Sequence, residues 1–130
     1  MILSSTEENR PGHYSLAVEC NNFVFVSGQL PMDWSTKQMV SGGIEIQARQ
    51  ALNNLQDAVQ RAGLSLTDIV KVTVYINGIE HWPVIDNIYA EYFKEHRPSR
   101  SIVPTLALHY GAQIEIEAIA YREAIPYRKD

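Results

Sequence analysis

The chain has a single cysteine, Cys20, among its 130 residues. One thiol can neither close a disulfide within the chain nor supply the cysteine set of a structural zinc site. This scarcity favours an intracellular protein, and the cytoplasm is the predicted location. Nothing in the sequence beside Cys20 marks it as an activated thiol, so it is predicted to lie at a strand end.

Long apolar runs and clusters of positive charge are also missing. No apolar stretch approaches the roughly 20 residues of a transmembrane helix, and the first ten residues contain no basic region followed by an apolar one. Lys and Arg number 11 against 15 Asp and Glu, which gives a net charge of −4. Since nucleic-acid binding depends on neutralising phosphates, this balance counts against a nucleic-acid partner, and nothing indicates a membrane partner.

The chain does have the length and apolar content of one domain, predicted to span residues 1–130. Hydrophobic residues make up 45% of it and charged residues 20%, which is ordinary for a globular protein. No internal repeat or linker divides it.

Hydrophobic periodicity predicts two helices and several strands. Apolar residues recur every three or four positions over 44–63 and 81–96, which is typical of one-sided helices. The segment 30–43 is predicted to be a surface loop. Strands are predicted for 15–19, 23–26, Ile69–Ile76, a segment starting near Arg100, and 113–122.

Two helices with one apolar stripe each must cover one face of a sheet, so the predicted class is α+β with a mixed β-sheet. The strand Ile69–Ile76 carries apolar side chains in both of its alternating positions. The sheet face without helices is therefore expected to be buried by oligomerisation, most simply in a closed ring of like subunits.

The candidate chemistry lies in the last third of the chain. Glu115 and Glu117 alternate with apolar residues in 113–122, so both project from one face of a strand, about 7 Å apart. A turn at 109–111 is predicted to pair this strand antiparallel with the one that begins near Arg100, which would bring Arg100 near Glu115. The alternative is a surface ion pair for the arginine and a solvated face for the glutamates.

Five short segments then occur in the order and spacing of a known family. They are Ser-Gly-Gln-Leu-Pro at 27–31, Gln-Ala-Arg-Gln-Ala-Leu-Asn-Asn-Leu at 47–55, Asp-Ile-Val-Lys at 68–71, Arg-Ser at 100–101 and Ile-Glu-Ile-Glu-Ala-Ile-Ala at 114–120. Together they resemble the Rid (YjgF/YER057c/UK114) family of reactive-intermediate deaminases over nearly the whole chain. The resemblance implies a chorismate-mutase-like fold and a barrel-like homotrimer with three clefts between subunits. It also implies hydrolysis of 2-imino acids, in equilibrium with enamines, to 2-keto acids and ammonia.

By motif position, the resemblance implies that Arg100 binds the substrate carboxylate and that Glu115 stands near the reacting water. The cleft-lining positions that it implies are Tyr14, Ser27 and Gly28. The sequence alone reads Gly28 equally as a bulge or as a point of close approach by a ligand. A guanidinium can hold a carboxylate through two parallel hydrogen bonds while a glutamate moves a proton, so this chemistry requires no metal or cofactor.

The chain also departs from the family pattern. Ile102 stands where the archetypal deaminases have cysteine, so only its backbone N–H could serve there as a donor. Arg97 replaces a usual phenylalanine and is expected to contact solvent or a neighbouring subunit rather than substrate. Pro104 and residues 109–111 differ as well, and these departures bear on the preferred substrate side chain.

Two other functions compete with deamination. The same arginine could hold 2-keto acids or related carboxylates in a binding protein without catalysis. Some members of the family are associated with ribonuclease activity or translation inhibition, against which the acidic charge counts.

Overall fold

A computed structural model describes residues 2–4 and 11–123 of the chain. The N-terminal segment discussed above lies largely outside these residues. The helices are α1 (Ile44–Arg61) and α2 (Trp82–Phe93). The strands are β1 (Ile2–Ser4), β2 (Ser15–Cys20), β3 (Phe23–Gln29), β4 (Met32–Asp33), β5 (Gln38–Met39), β6 (Ile69–Ile76), β7 (Ser99–Pro104) and β8 (Ile114–Tyr121). The predicted α+β class is confirmed.

Six strands form one mixed sheet in the order β1-β2-β3-β8-β6-β7. All neighbours run antiparallel except β6 and β7, which are parallel and are joined through α2. Although β8 is the last strand in the chain, it lies inside the sheet between β3 and β6. Both helices therefore cover the same face of a sheet whose central strand, β8, comes from near the end of the sequence.

The core lies between the helices and this sheet face. The alternation in β6 turns Val72, Val74 and Ile76 toward the helices, and all three are fully buried. In β8 the buried positions are Ile114, Ile116, Ala118 and Ala120, and in α1 the apolar stripe includes Ala48, Ala51, Leu52, Leu55, Ala58 and Val59. Burial of these side chains is the main stabilising contribution to the fold.

The segment 30–43 is not wholly a loop, as the sequence suggested, because β4 and β5 pair within it as a small hairpin. The backbone N–H of Ser35 donates to Oδ1 of Asp33 at 2.9 Å, and this contact shapes the turn. Asn54 of α1 holds the hairpin by donating from Nδ2 to the carbonyl oxygens of Leu30 and Met32. Strands of two residues are too short to show a period of two in the sequence.

The face of the sheet opposite the helices is open in the single chain. Val18 and Phe25 are 39% and 45% exposed there, and the ring of Phe23 packs at a tilt against that of Tyr121 with 5.0 Å between ring centroids. The outward apolar groups therefore lie mainly on β2, β3 and β8. On β6, where the sequence pointed to them, the outward residues are Lys71, Thr73 and Tyr75, with Val70 exposed at a break in register.

The predicted hairpin between β7 and the last strand is wrong. In the structure β7 pairs only with β6, in parallel, with Arg100 beside Val72. The turn at His109–Gly111 exists, but the chain crosses the end of β6 there: Thr105 donates its N–H to the carbonyl of Ile76, and Asn77 donates to that of Gln113. A strand reached from β6 through a helix lies parallel to β6, so β6 separates β7 from β8.

Candidate functional site

Glu115 lies on the open face of the sheet and packs over Gly28 of the neighbouring strand β3. A Cβ atom at position 28 would collide with Oε2 of Glu115. The pairing of β3 with β8 also shifts register between Val26 and Gln29. Gly28 therefore sits at an irregularity of the strand pairing, as one of its two interpretations expected, and the group packed against it is a carboxylate of its own chain. Close approach by a ligand stays a prediction.

Ser27 and Tyr14 border this point from β3 and from the start of β2. The Ser27 hydroxyl donates to the carbonyl oxygen of Ser15 at 2.6 Å, which fastens the residue after Tyr14 to the strand that carries Gly28. Tyr14 is 41% exposed. Of the residues that the sequence singled out, Ser27 and Gly28 lie on β3 and Glu115 on the adjacent β8, while Tyr14 directly precedes β2.

Tyr75 lies beside both glutamates, and the sequence analysis did not identify it. It lies opposite Glu115 in the pairing of β6 with β8, and its hydroxyl donates to Oε1 of Glu117. This hydrogen bond is the main cause that raises the pKa of Tyr75, so the phenol stays a neutral donor. The signal in the sequence was the alternation of β6, which puts Tyr75 on the face opposite Val74, but only the cross-strand register reveals its partner.

The pKa of Glu115 is raised above its ordinary value. Burial is the largest cause, the negative charge of Glu117 adds to it, and His109 opposes it weakly. A carboxyl group whose pKa moves toward neutrality exchanges protons more readily near physiological pH than an ordinary exposed glutamate does. Glu115 is therefore the carboxyl of this face that is best suited to proton transfer.

Arg100 lies on the other face of the sheet, against α2. Its Nη1 donates to Oδ1 of Asp86 at 2.9 Å, and its guanidinium sits 4.7 Å from the ring centroid of Tyr89 and 5.7 Å from that of Trp82. These three residues are spaced four and three positions apart on one side of α2 and surround the arginine head group. Only one guanidinium nitrogen is engaged by Asp86.

The side chain of Ile102 points to the same face of the sheet as that of Arg100, where it packs against the core. It lies beside Val74 in the pairing of β7 with β6 and packs, partly buried, against the core cluster. A cysteine side chain at this position would also face the helices. Any part that Ile102 plays toward a ligand is thus restricted to its backbone, as the sequence indicated.

Within one chain, Arg100 and Glu115 do not meet. The two side chains project from opposite faces of the sheet, and β6 lies between their strands. Neighbouring positions of a strand alternate between faces, so no change of rotamer brings both groups to one ligand. A site that uses both residues must take them from two chains.

Known proteins resemble this chain over most of its length. The family profile described as Endoribonuclease L-PSP matches residues 7–122, which is most of the chain. The chain belongs to the Rid family. A RutC family protein of Pyrococcus horikoshii is 44% identical over 119 residues, covering 89% of this chain and 94% of its own length. The human 2-iminobutanoate/2-iminopropanoate deaminase is 41% identical over 109 residues, covering 84% and 80%.

Solved structures of Rid proteins have the same fold. RidA from a Psychrobacter species superposes with a TM-score of 0.82 at 35% identity, over 85% of this chain and 89% of that chain. TdcF from E. coli, solved with bound serine, superposes with a TM-score of 0.85 at 35% identity, over 93% and 98%.

Among residues 2–4 and 11–123, no helix has the length and apolar character needed to cross a membrane. In the same part of the chain, no group of three or more His, Cys, Asp or Glu side chains is arranged to hold a metal ion.

Proposed function

We propose that this Rid protein hydrolyses 2-imino acids of the 2-iminobutanoate and 2-iminopropanoate type to 2-keto acids and ammonia. The observation that carries the proposal is the position of the Glu115 carboxyl, partly buried over Gly28, and the burial that raises its pKa supports it. The deaminase names of several relatives about 40% identical to this chain support the same reaction.

In the proposed reaction Glu115 handles the protons. The carboxylate takes a proton from water as the water oxygen attacks the C=N carbon, and the π electrons move onto the imine nitrogen, which receives this proton back from the carboxyl group. The carboxylate then takes the O–H proton of the resulting carbinolamine and passes it to the amine nitrogen, so that C=O forms as the C–N bond breaks and ammonia leaves. One imine and one water thus give one keto acid and one ammonia, and general acid–base catalysis of this kind contributes about 10²–10⁴-fold.

Arg100 is proposed to hold the substrate carboxylate. Asp86 uses only Nη1, which leaves Nε and Nη2 on the guanidinium for two parallel hydrogen bonds. Fixing the carboxylate also fixes the adjacent imine carbon, which is the positioning that the addition of water requires. The backbone N–H of Ile102, and the cleft positions Tyr14 and Ser27, remain proposed contacts.

The active form is proposed to be a homotrimer with sites between subunits. The opposite faces of Arg100 and Glu115 support this, because a shared site requires a second chain. The half-exposed apolar groups of the open sheet face, Val18, Phe23, Phe25 and Tyr121, supply a surface that a neighbouring copy would bury.

A second candidate is a binder of small carboxylates that does not catalyse. It is favoured by one observation, the bound serine in the solved TdcF structure. The same arginine would hold an amino or keto acid whether or not a reaction followed.

The test is the decay of imines generated in situ from several amino acids by an amino-acid oxidase, with and without this protein. Arg100→Ala should lower kcat/KM by about two orders of magnitude, or about 2.7 kcal/mol, and Arg100→Lys should recover little because lysine cannot offer two parallel donors. Arg49→Ala, which removes a surface arginine paired with Glu91, is the matched control. No acceleration by the wild-type protein would exclude the deaminase and leave the binder.

A further inference from the structure

A groove lies between the end of α2 and the start of β7, beside Arg100. Its volume is about 480 Å³, within the range of small-molecule sites. Its walls include Asp86, Tyr89, Lys94, Arg97 and Arg100. The proposed reaction assigns a role here to Arg100 alone, and the remainder of the groove is not used by it.

The groove concentrates positive charge in an acidic protein. Three cations line it against one carboxylate, and that carboxylate, Asp86, is already paired with Arg100. Within the described part of the chain neither Lys94 nor Arg97 forms a salt bridge. Two positive charges are thus uncompensated in a chain whose net charge is −4, and a concave surface of one sign attracts the opposite charge.

The backbone supports this placement of the cations. Lys94 ends α2 with φ of 54°, a left-handed conformation in which glycine is the residue under least strain. His96, two residues later, connects this segment to β6, since its Nε2 donates to the carbonyl oxygen of Ile69 at 2.6 Å. The segment that carries Lys94 and Arg97 is therefore held in place.

One buried polar group in the wall also has no partner. The hydroxyl of Tyr89 forms no hydrogen bond, although Tyr89 is only 7% exposed. Burial raises the pKa of Tyr89 to about 12, so the phenol remains a neutral donor. A buried donor without a partner is costly, and an acceptor in the groove would relieve that cost.

From these observations we infer that the groove selects ligands with a second negative charge: dicarboxylic 2-imino acids and the matching 2-keto dicarboxylates. Arg100 holds the carboxylate next to the imine carbon, and the second carboxylate extends along the groove toward Lys94 and Arg97. Arg97 and Arg100 both line the groove, and both side chains are long, so the two can hold the two ends of such a ligand. This inference rests on the proposed role of Arg100 and adds the substrate class.

The test measures binding by calorimetry and thus does not depend on turnover. The wild-type protein should bind 2-oxoglutarate about tenfold or more tightly than 2-oxobutanoate. The double variant Lys94→Gln, Arg97→Gln should lose most of that preference while its affinity for 2-oxobutanoate changes less than about threefold. Lys37→Gln, which removes one positive charge from the β4–β5 turn, is the charge control and should keep the preference.

Equal affinity for the two keto acids in the wild type would overturn the inference, as would a preference that survives in the double variant. Lys94→Gly removes one cation and the backbone strain together, so it should reduce the preference in a protein at least as stable as the wild type. If the protein prefers the dicarboxylate but does not accelerate imine decay, the proposed selectivity of the groove is supported and the proposed deaminase activity is refuted. The two proposals can therefore fail separately.

Discussion

The fold predicts that two variants, each inactive by itself, regain activity when their chains assemble together. Arg100→Ala and Glu115→Gln each remove one half of the proposed site. The two side chains lie on opposite faces of the sheet with β6 between them, so a working site must take Arg100 from one chain and Glu115 from another. Trimers that contain both variants should then contain intact sites.

The size of the recovery follows from the geometry of a ring. Each site needs a Glu115→Gln chain, whose Arg100 is intact, next to an Arg100→Ala chain, whose Glu115 is intact. A trimer that contains both kinds of chain has one such boundary among its three, so the activity of the mixed trimers should return to about a third of the wild-type value. Each parent variant alone should retain on the order of 1%.

The assay is co-expression of the two variants with different affinity tags, purification over both tags, and measurement of imine decay. A mixture of Arg100→Ala chains with chains that carry both changes is the control, since it can form no intact site. Doubly tagged oligomers no more active than their parents would show that the two residues do not act across a subunit boundary.

Further predictions concern assembly, pH, stability and the partner of Arg100. Light scattering should give about three times the 14.7 kDa chain mass, and a stable monomer would refute the shared site. In the proposed reaction Glu115 acts as the carboxylate, so kcat/KM should fall as pH drops through its raised pKa. Glu117→Gln removes a negative neighbour and should move that fall to lower pH, whereas an unmoved profile would contradict the coupling. Because the pKa of Glu115 is raised in the folded state, its ionisation destabilises the fold as pH rises through that pKa. Glu115→Gln should therefore raise Tm at pH 7, where the carboxyl is ionised, but not at pH 4, where it is protonated. An equal gain in Tm at both pH values would contradict this reasoning. Asp86→Asn should lower KM about twofold to threefold by removing a negative charge beside the substrate carboxylate, and a higher KM would mean that the ion pair chiefly positions Arg100.

The elements with the strongest periodicity were predictable from the sequence. Helix α1 begins at Ile44 and β6 spans Ile69–Ile76 as expected, because α1 has a regular apolar stripe and β6 is rich in β-branched residues. The partner of β7 was predicted wrongly, since the period of a strand does not encode its neighbour. The succession of strand, helix and strand from β6 through α2 did contain the relevant signal, because such a unit places its two strands parallel.

The candidate site was also predictable only in part. The shared face of Glu115 and Glu117 follows from alternation alone and is seen in the structure. The contacts of Tyr75 with Glu117, and of Asp86 with Arg100, depend on register and on helix rotation, which local patterns do not specify. Sequence reasoning could therefore name candidate groups for the site but could not say which of them are in contact.

The central position of β8 has a consequence for how the chain folds. The pairs Phe23–Tyr121 and Val26–Ala118 join positions more than 90 residues apart in sequence, and contacts of such long range slow folding. Until β8 forms, β1–β3 share no strand pairing with β6 and β7. A nascent chain therefore carries two unfinished sheet fragments with exposed edges, open to mispairing and to capture by chaperones, until Ile114–Tyr121 joins them.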